Sequence, residues 1–453
     1  MRQRQVLELF TERLLPEFVA ESLRVDALDM WLRKSGDEIP LPRKASKEHR
    51  TLAGLARTPL LPLVITNTAQ ALHVDGYEAP DPEADRDGWE TWQANGMESR
   101  QSAIHRAALG HGVAYATVMP GFDRNGRRAV IRGVSARKMV TLWQDSAEDD
   151  WPMYAMRRDS AGTQSMWRIF DEENVYYIST DADHTRPEFI EWREHGAGVC
   201  PVVRYANLLD LEGTPESDIE QLIPLAARFN KTVYDRLLVQ HFNSWKVRTI
   251  AGLQEFADDE VEAERKKIKL AQDDILIAED ADTKFGTLDE TPLSGFIEAE
   301  QEELTTLSAV AQVPSTAMSG KVANLSADAI AELRAGLTQK VFERQTWFGS
   351  SHAQTLSLAR RLEGKEEPPV ASRMQWRDMQ PRTMAQVVDA LGKAATMLEV
   401  PPQAVWHLIP GFSRDDVEDM KAEATRGRAS AARQALAEAA AAVRGATGEP
   451  AAG

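Results

Sequence analysis

Asp145-Ser-Ala-Glu-Asp-Asp150 crowds carboxylates into one short run, and clustered oxygens suit a hard cation such as calcium. The run lacks the EF-hand spacing and its glycine, so it reads as a solvated connection between strands. Asp181, Asp183 and His184 read the same way. Gly320-Lys321 has the form of the end of a phosphate-binding loop. The earlier glycine is missing, however, and Val322 stands where a Ser or Thr would hold magnesium. Ser102 with His105, and Ser351 with His352, are sequence neighbours without the third group of a triad. The nine histidines include no pair at metal-binding helical spacing, and no Gly-x-Ser-x-Gly motif occurs. The single cysteine, Cys200, precedes Pro201-Val-Val and reads as a small buried hydrophobe. No catalytic residue, metal ligand or cofactor is expected.

The bulk properties fit a structural protein. At 453 residues, 43% hydrophobic and 27% charged, the chain has material for about three average domains or one large intertwined fold. Its net charge of -17 argues against an ordinary nucleic-acid binder, whose contact face is basic. The same charge does not argue against a protein past which DNA slides, because acidic groups repel phosphates and avoid contacts that would hold the duplex. No apolar run reaches the roughly 18 residues of a membrane helix. The best stretch, Pro59 to Leu72, contains Thr66, Asn67, Thr68 and Gln70. Met1 to Phe18 carries Glu8, Glu12 and Glu17 and has no signal-peptide core, so use in the cytosol or in a particle is expected. The eleven tryptophans are dispersed, which fits packing and subunit contacts better than a base-stacking platform.

These properties need elements to carry them. Residues 1–46 read as a short helix followed by polar sequence, with a solvated basic cluster at Arg43 to Arg50. Pro59 and Pro62 predict a kinked or broken helix over Leu52 to Leu72. Trp89, Trp92 and Met97 precede a helix expected to stop near Gly110 or Gly112. From Val113 to Tyr205 the pattern is of short strands in a meandering antiparallel sheet packed on the preceding helices. They are Val113–Met119, Arg128–Arg132, Met139–Trp143, Tyr154–Arg158, Met166–Phe170, Val175–Ser179, Phe189–Trp192 and Val202–Tyr205, with a tight hairpin at Asn125-Gly126.

A long helix follows over 216–246, with Pro224 marking a kink or a later start. Next come an α/β insert over 247–292, a helix over 293–312 and a long helix from about 326 to 365. Beyond a proline-punctuated linker, short helices are expected at Ala385–Met397, Pro402–Leu408 and Asp415–Ala424, then a frayed Ala-rich tail.

The most distinctive run is Val313-Pro-Ser-Thr-Ala-Met-Ser-Gly320-Lys-Val-Ala-Asn-Leu-Ser326-Ala-Asp328, held between two periodic helices. The downstream helix places Ile330, Leu333, Leu337, Val341 and Phe348 on one side, with Ser326 as N-cap and Asp328 in the first turn. This arrangement resembles the tunnel loop of the portal proteins of tailed bacteriophages, of the siphovirus kind that infects actinobacteria. The resemblance extends from about Thr51 to Leu362 and is carried also by Asn95-Gly-Met-Glu98, by Ala108-Leu-Gly-His-Gly-Val-Ala-Tyr-Ala116 and by Glu216-Ser-Asp-Ile-Glu220.

The resemblance implies an α+β portal fold. A wing covers 47–215, with an antiparallel β-rich region, and continues as a long helix over 326–365. Stem helices are implied at 216–246 and 293–312, an α/β clip at 247–292, a tunnel loop at 313–325 and a crown with a flexible tail at 370–453. It implies a ring of about twelve copies at one capsid vertex, a channel for double-stranded DNA during packaging and ejection. Implied partners are the major capsid protein and scaffold, the terminase large subunit and the head–tail connector, with no membrane and no enzymatic activity. On this reading Ser315, Thr316, Ser319, Gly320, Lys321 and Asn324 face passing DNA. Glu298, Glu300, Glu302 and Glu303 form an acidic channel wall. Asp258, Asp259, Glu260, Arg265, Lys266 and Lys267 bind the packaging motor and then the connector. Two other classes share the acidity and the lack of motifs. One is a capsid-associated adaptor or scaffold that forms no ring. The other is a nuclease built on residues 145–150.

Overall fold

The chain opens with helical structure from Gln3 to Lys34, where a short helix followed by polar sequence is expected. Val6, Phe10, Leu14 and Phe18 bury one face of it against Trp167, Ile169 and Ile178 of a sheet. Pro16 has no N–H for the preceding turn, and just before it the backbone widens into a π turn over Phe10–Leu14. After Phe18 the apolar period fades, because Val19 and Leu23 face solvent while Asp29 is buried. That loss of period is what hides the helix in the sequence. The computed structural model describes the whole chain apart from residues 37–38, 42, 124–125, 162–163, 182, 185, 245–247, 252–283, 288–290, 322–326, 367–371, 378–383, 410–411, 413 and 447–453.

All eight strands expected between Val113 and Tyr205 are present, but they make two sheets rather than one meander. Met139–Leu142, Tyr154–Ala161, Gln164–Phe170, Asn174–Thr180 and Glu188–Glu194 form the five-stranded antiparallel meander. Val113–Asp123 instead lies between Gly126–Ser135 and Val202–Ala206 in a three-stranded sheet. The last strand leaves the meander: Val202, Val203 and Tyr205 are buried, so both faces of this edge strand are covered. Asp123 pairs with Gly126, whose φ is 122°, so the hairpin closes at the expected place. The closed end between the two sheets is filled by Val113, Tyr115, Val134, Met139, Phe170, Val175 and Val202.

Helices cover the other face of the three-stranded sheet. The predicted break near Pro59 separates Lys47–Leu55 from Leu60–Gln70. Trp89 and Trp92 lie within a helix, Pro82–Ala94, rather than ahead of one; Asp81 caps it by accepting from the Glu83 and Ala84 N–H groups. Met97–His111 ends at Gly112, at φ 85°, in the left-handed conformation expected there. The helix expected over 216–246 starts late. A 3-10 turn at Glu220–Leu222 leads into Ile223–Asn243, with Pro224 in the first turn.

Two further departures concern elements far apart in sequence. Val74–Glu78 pairs antiparallel with Arg373–Trp376, supported by Arg373–Glu78 and Arg377–Asp75 ion pairs. At the C-terminus, Met384–Met397 and Pro402–Val405 are helical as expected, but Arg414–Ala446 is one helix where a short helix and a frayed stretch are expected. Alanine, the strongest helix former, outweighs Gly427 and Gly445. The fold class is therefore mixed, helices with antiparallel sheets. Among the described residues, no helix is long and apolar enough to cross a membrane.

Candidate functional site: two paired helices and the turn that follows them

Ile223–Asn243 and Ser294–Ala311 pack against each other, and between them the chain leaves to form the strand pair Arg248–Ala251 with Lys284–Thr287. The two helices meet through apolar and charged contacts. Ala226, Phe229 and Val233 are buried on one, Leu307 and Ala311 on the other. Glu300 pairs with Arg236. Glu303 forms an ion pair with Arg228, whose Nε lies 3.2 Å away, and accepts a hydrogen bond from Thr232 Oγ1 at 3.1 Å. Of the four glutamates singled out in the sequence, Glu300 and Glu303 thus neutralise arginines of the facing helix. Glu298 and Glu302 are exposed. A groove of about 410 Å³ opens beside this pair, lined by Thr232, Asp235, Pro292, Gly295, Phe296 and Ala299.

The second helix ends sharply. Gln312 takes φ 55°, and the Val313 N–H donates to the Ser308 carbonyl at 3.0 Å. Pro314 then starts a single helical turn, Ser315–Ser319, where an irregular loop is expected. Val313 and Met318 bury their side chains and fix this turn to the body. Gly320, at φ 65°, ends it. Ser319 Oγ donates to the Ser315 carbonyl at 2.9 Å, and Lys321 Nζ donates to Gln301 Oε1 at 2.7 Å. Lys321, Gly320 and Ala317 are exposed. Asn324 lies outside the described residues, as do the insert residues Asp258, Asp259, Glu260, Arg265, Lys266 and Lys267.

Past this turn runs the 36-residue helix Ala327–Leu362. Its buried Lys340 and Arg344 converge on Asp218, just ahead of the first helix. Lys340 Nζ lies 2.7 Å from Asp218 Oδ2 and Arg344 Nη2 lies 2.9 Å from Oδ1. Asn207 Nδ2 donates to the same Oδ1 at 2.8 Å, and Lys340 Nζ also reaches the Ala311 carbonyl at 3.3 Å. Burial alone would raise the Asp218 pKa, but the adjacent Lys340 and Arg344 charges outweigh it and hold the carboxyl below its ordinary range. One carboxylate thus ties the start of the first helix, the end of the second and the long helix together.

Sequence reasoning missed this junction. Its trace was there: Lys340 and Arg344 fall three residues after Leu337 and Val341, charges inside an apolar stripe. What a single sequence could not show was the distant carboxylate.

Deeper in the body, His105 Nε2 and His352 Nε2 lie 2.8 Å apart, both rings fully buried. Tyr205 OH lies 2.9 Å from His352 Nδ1 and 2.7 Å from Thr355 Oγ1, and His105 stacks on Phe348 at 4.9 Å. Burial pushes His105 down to about 3, and burial together with the His105 charge pushes His352 down, so both rings stay neutral. Ser102 donates to the Ser99 carbonyl and Ser351 to the Arg204 carbonyl, not to either histidine. Asp145 accepts from the Ala147 N–H at 2.9 Å and Asp149 from the Asp145 N–H at 2.7 Å, so this acidic run folds on its own backbone as a turn. Among the described residues, no group of three or more His, Cys, Asp or Glu is placed to hold a metal ion. Cys200 is buried, as expected of a small hydrophobe, and burial raises its thiol pKa.

The portal protein of Mycobacterium phage L5 is 25% identical over 381 residues, covering 79% of this chain and 76% of its own. That of Mycobacterium phage D29 is 27% identical over 350 residues, covering 73% of this chain and 71% of its own. A solved structure described as the virion of a native gene transfer agent particle aligns at a TM-score of 0.47 and 13% identity, over 84% of this chain and 99% of that one. The family model for phage portal proteins of the SPP1 Gp6-like type matches residues 32–428. The chain belongs to the SPP1 Gp6-like family of phage portal proteins.

Proposed function

We propose that the protein assembles into a closed ring of about twelve copies at one vertex of the capsid and serves as the channel for double-stranded DNA. The observation that carries this reading is the helix pair Ile223–Asn243 and Ser294–Ala311. It brackets the segment that holds the strand pair Arg248–Ala251 and Lys284–Thr287, and is followed by an anchored turn and the 36-residue helix. Such a pair can line a conduit while the insert meets an outside partner. The exposed Phe342 and Trp347 on the long helix, with Ile297 and Val310 on the second helix, support further contacts between copies. Portal proteins are structural components of the virion.

In this reading 47–215 and 326–365 form the wing, 216–246 and 293–312 the stem, 247–292 the clip and 370–453 the crown. Residues 313–325 meet DNA in the channel. Ser315, Thr316, Ser319, Gly320 and Asn324 give short polar contacts, and Lys321 gives one cation per copy. The exposed Glu298 and Glu302 supply repulsion, and a ring of about twelve copies carries roughly -200 charges in all before counterions. Glu300 and Glu303 serve chiefly to hold the stem pair together. The clip docks the terminase large subunit during packaging and the head–tail connector afterwards, through Asp258, Asp259, Glu260, Arg265, Lys266 and Lys267. The wing meets the major capsid protein and scaffold.

Two variants test these roles in phage whose portal is replaced. Lys321→Glu should leave rings intact and reduce retained DNA, since each phosphate-neutralising cation changes the salt dependence of DNA contact by about one unit of log slope. Reversing the clip charges should give intact rings and capsids that are empty or tailless. Normal virion yield from both would remove the channel and docking assignments.

A further inference from the structure

Arg228, Thr232 and Arg236 of the helix Ile223–Asn243 meet Glu303 and Glu300 of Ser294–Ala311. Asn230 stands two residues from both Arg228 and Thr232, so it points about 200° away from them round the helix. There its Oδ1 accepts from the Thr58 N–H at 3.0 Å, just past the helix Lys47–Leu55, and further along Phe242 lies 6.2 Å from the His49 ring. Lys47–Leu55 and Ser294–Ala311 therefore flank Ile223–Asn243 on different sides. The two flanks end in opposite charge. Glu300 faces Arg236, so Glu298 and Glu302, two residues to either side of it, turn outward and are exposed. They sit one helical turn apart, a spacing at which like charges repel. On the other flank His49 faces Phe242, while Lys47 and Arg50 are exposed, with Arg43 and Lys44 just ahead of them. Ser46 caps this helix, so Lys47 lies at the positive end of its dipole. Among the described residues, none of these four cations and neither glutamate has an ion-pair partner.

A solvated face explains any one of these charges alone. It does not explain why a chain of net charge -17 keeps unpaired cations on one flank of this layer and unpaired carboxylates on the other. We infer that Lys47 and Arg50 of one copy pair with Glu298 and Glu302 of the next. This rests on the ring reading above and refines it: the two glutamates stay on the wall, at the seam between copies, where the neighbouring cations offset part of their repulsion. Copies this acidic repel one another when placed side by side. Head-to-tail contacts bring one edge of a subunit against the opposite edge of the next, so edges of opposite sign attract at every seam of a closed ring. Lys47 and Arg50 are spaced i, i+3 and Glu298 and Glu302 i, i+4, so each pair presents its charges about one turn apart and the two can meet in register. The pairing also relieves two local costs, Lys47 against the helix dipole and Glu298 against Glu302.

Mass photometry of the full chain measures the effect in three variants: Lys47→Glu with Arg50→Glu, Glu298→Lys with Glu302→Lys, and all four changes together. The four side chains are exposed, so unfolding midpoints should stay near that of the parent. Each paired reversal should raise the concentration for half-maximal assembly about tenfold or more at low salt, and less at high salt. The fourfold variant exchanges the two charges and should assemble as the parent does. In a mixture of copies carrying Arg50→Cys with copies carrying Glu302→Cys, a bis-maleimide should join one of each, while the buried Cys200 stays out of the reaction. Reversals that assemble like the parent, or a fourfold variant no better than either reversal, overturn the inference and leave the ring reading standing. Open chains in place of rings, lost on reversal and restored by the exchange, keep the contact and overturn the ring. Wild-type protein that stays monomeric overturns both. Unchanged assembly with weaker binding of a double-stranded oligonucleotide by the Lys47→Glu, Arg50→Glu variant would assign that flank to phosphate and overturn the second-copy occupant.

Discussion

Asp218→Ala is expected to destabilise the folded chain by about 3–5 kcal/mol, because it leaves Lys340 and Arg344 buried without an anion. The Asn207 amide and the Ala311 carbonyl cannot replace a full negative charge for two cations. Asp218→Asn keeps the shape and should cost nearly as much, which assigns the effect to charge rather than volume. Glu343→Ala removes the exposed partner of Arg344 and should change stability by no more than about 0.5 kcal/mol. Urea unfolding of the three variants decides it: a loss below about 1 kcal/mol for Asp218→Ala would show that the junction is not what joins the helices. Because the Asp218 pKa is lowered in the folded chain, its contribution is complete above the ordinary carboxylate range. It is lost as pH falls below about 4 toward the lowered value.

The buried histidine pair also favours the deprotonated form in the folded chain, but in a higher pH window. The pKa of His105 lies near 3 in the folded chain, against about 6.5 unfolded, so the unfolded chain binds the extra proton first as pH falls. Stability contributed by the neutral ring is therefore full above about pH 7 and declines below about 6.5, by about 2 kcal/mol at pH 5 for His105 alone. His352 acts in the same direction. His73 and His195, also lowered by burial, add to the slope. Replacing His105 and His352 together by Leu should make the stability profile between pH 7 and pH 5 distinctly shallower. Equal slopes in the variant and the parent would show that the pair is not what carries the acid sensitivity.

What the sequence revealed follows from range. Strand periods, a kink or late start at Pro224 and a helix stop at Gly110 or Gly112 depend on a few neighbouring residues, and were legible to within those alternatives. The split into two sheets was not, because it depends on Val202–Ala206 returning to Val113–Asp123 across some eighty residues of meander. The Val74–Glu78 pairing with Arg373–Trp376 failed for the same reason. The N-terminal helix was lost where Asp29 turned inward, since a buried carboxylate held by His111 and arginines breaks the pattern that periodicity relies on. At the site, composition marked the turn at Ser315–Ser319 as loop because its residues are small and polar. Met318 and Val313, reaching into the core, make it an anchored helical turn. The glutamate run read as one acidic face. Helix rotation divides it, Glu300 and Glu303 meeting arginines and Glu298 and Glu302 meeting solvent.

The most direct test of the channel proposal is electron cryo-microscopy of the purified full-length protein. The account predicts closed rings of about twelve copies, with Ser294–Ala311 facing a central hole, Lys321 near its narrowest part and 247–292 projecting at one end. Monomers or dimers at micromolar concentration, or a ring whose hole is lined by the five-stranded sheet with the helix pair on its outer surface, would contradict it.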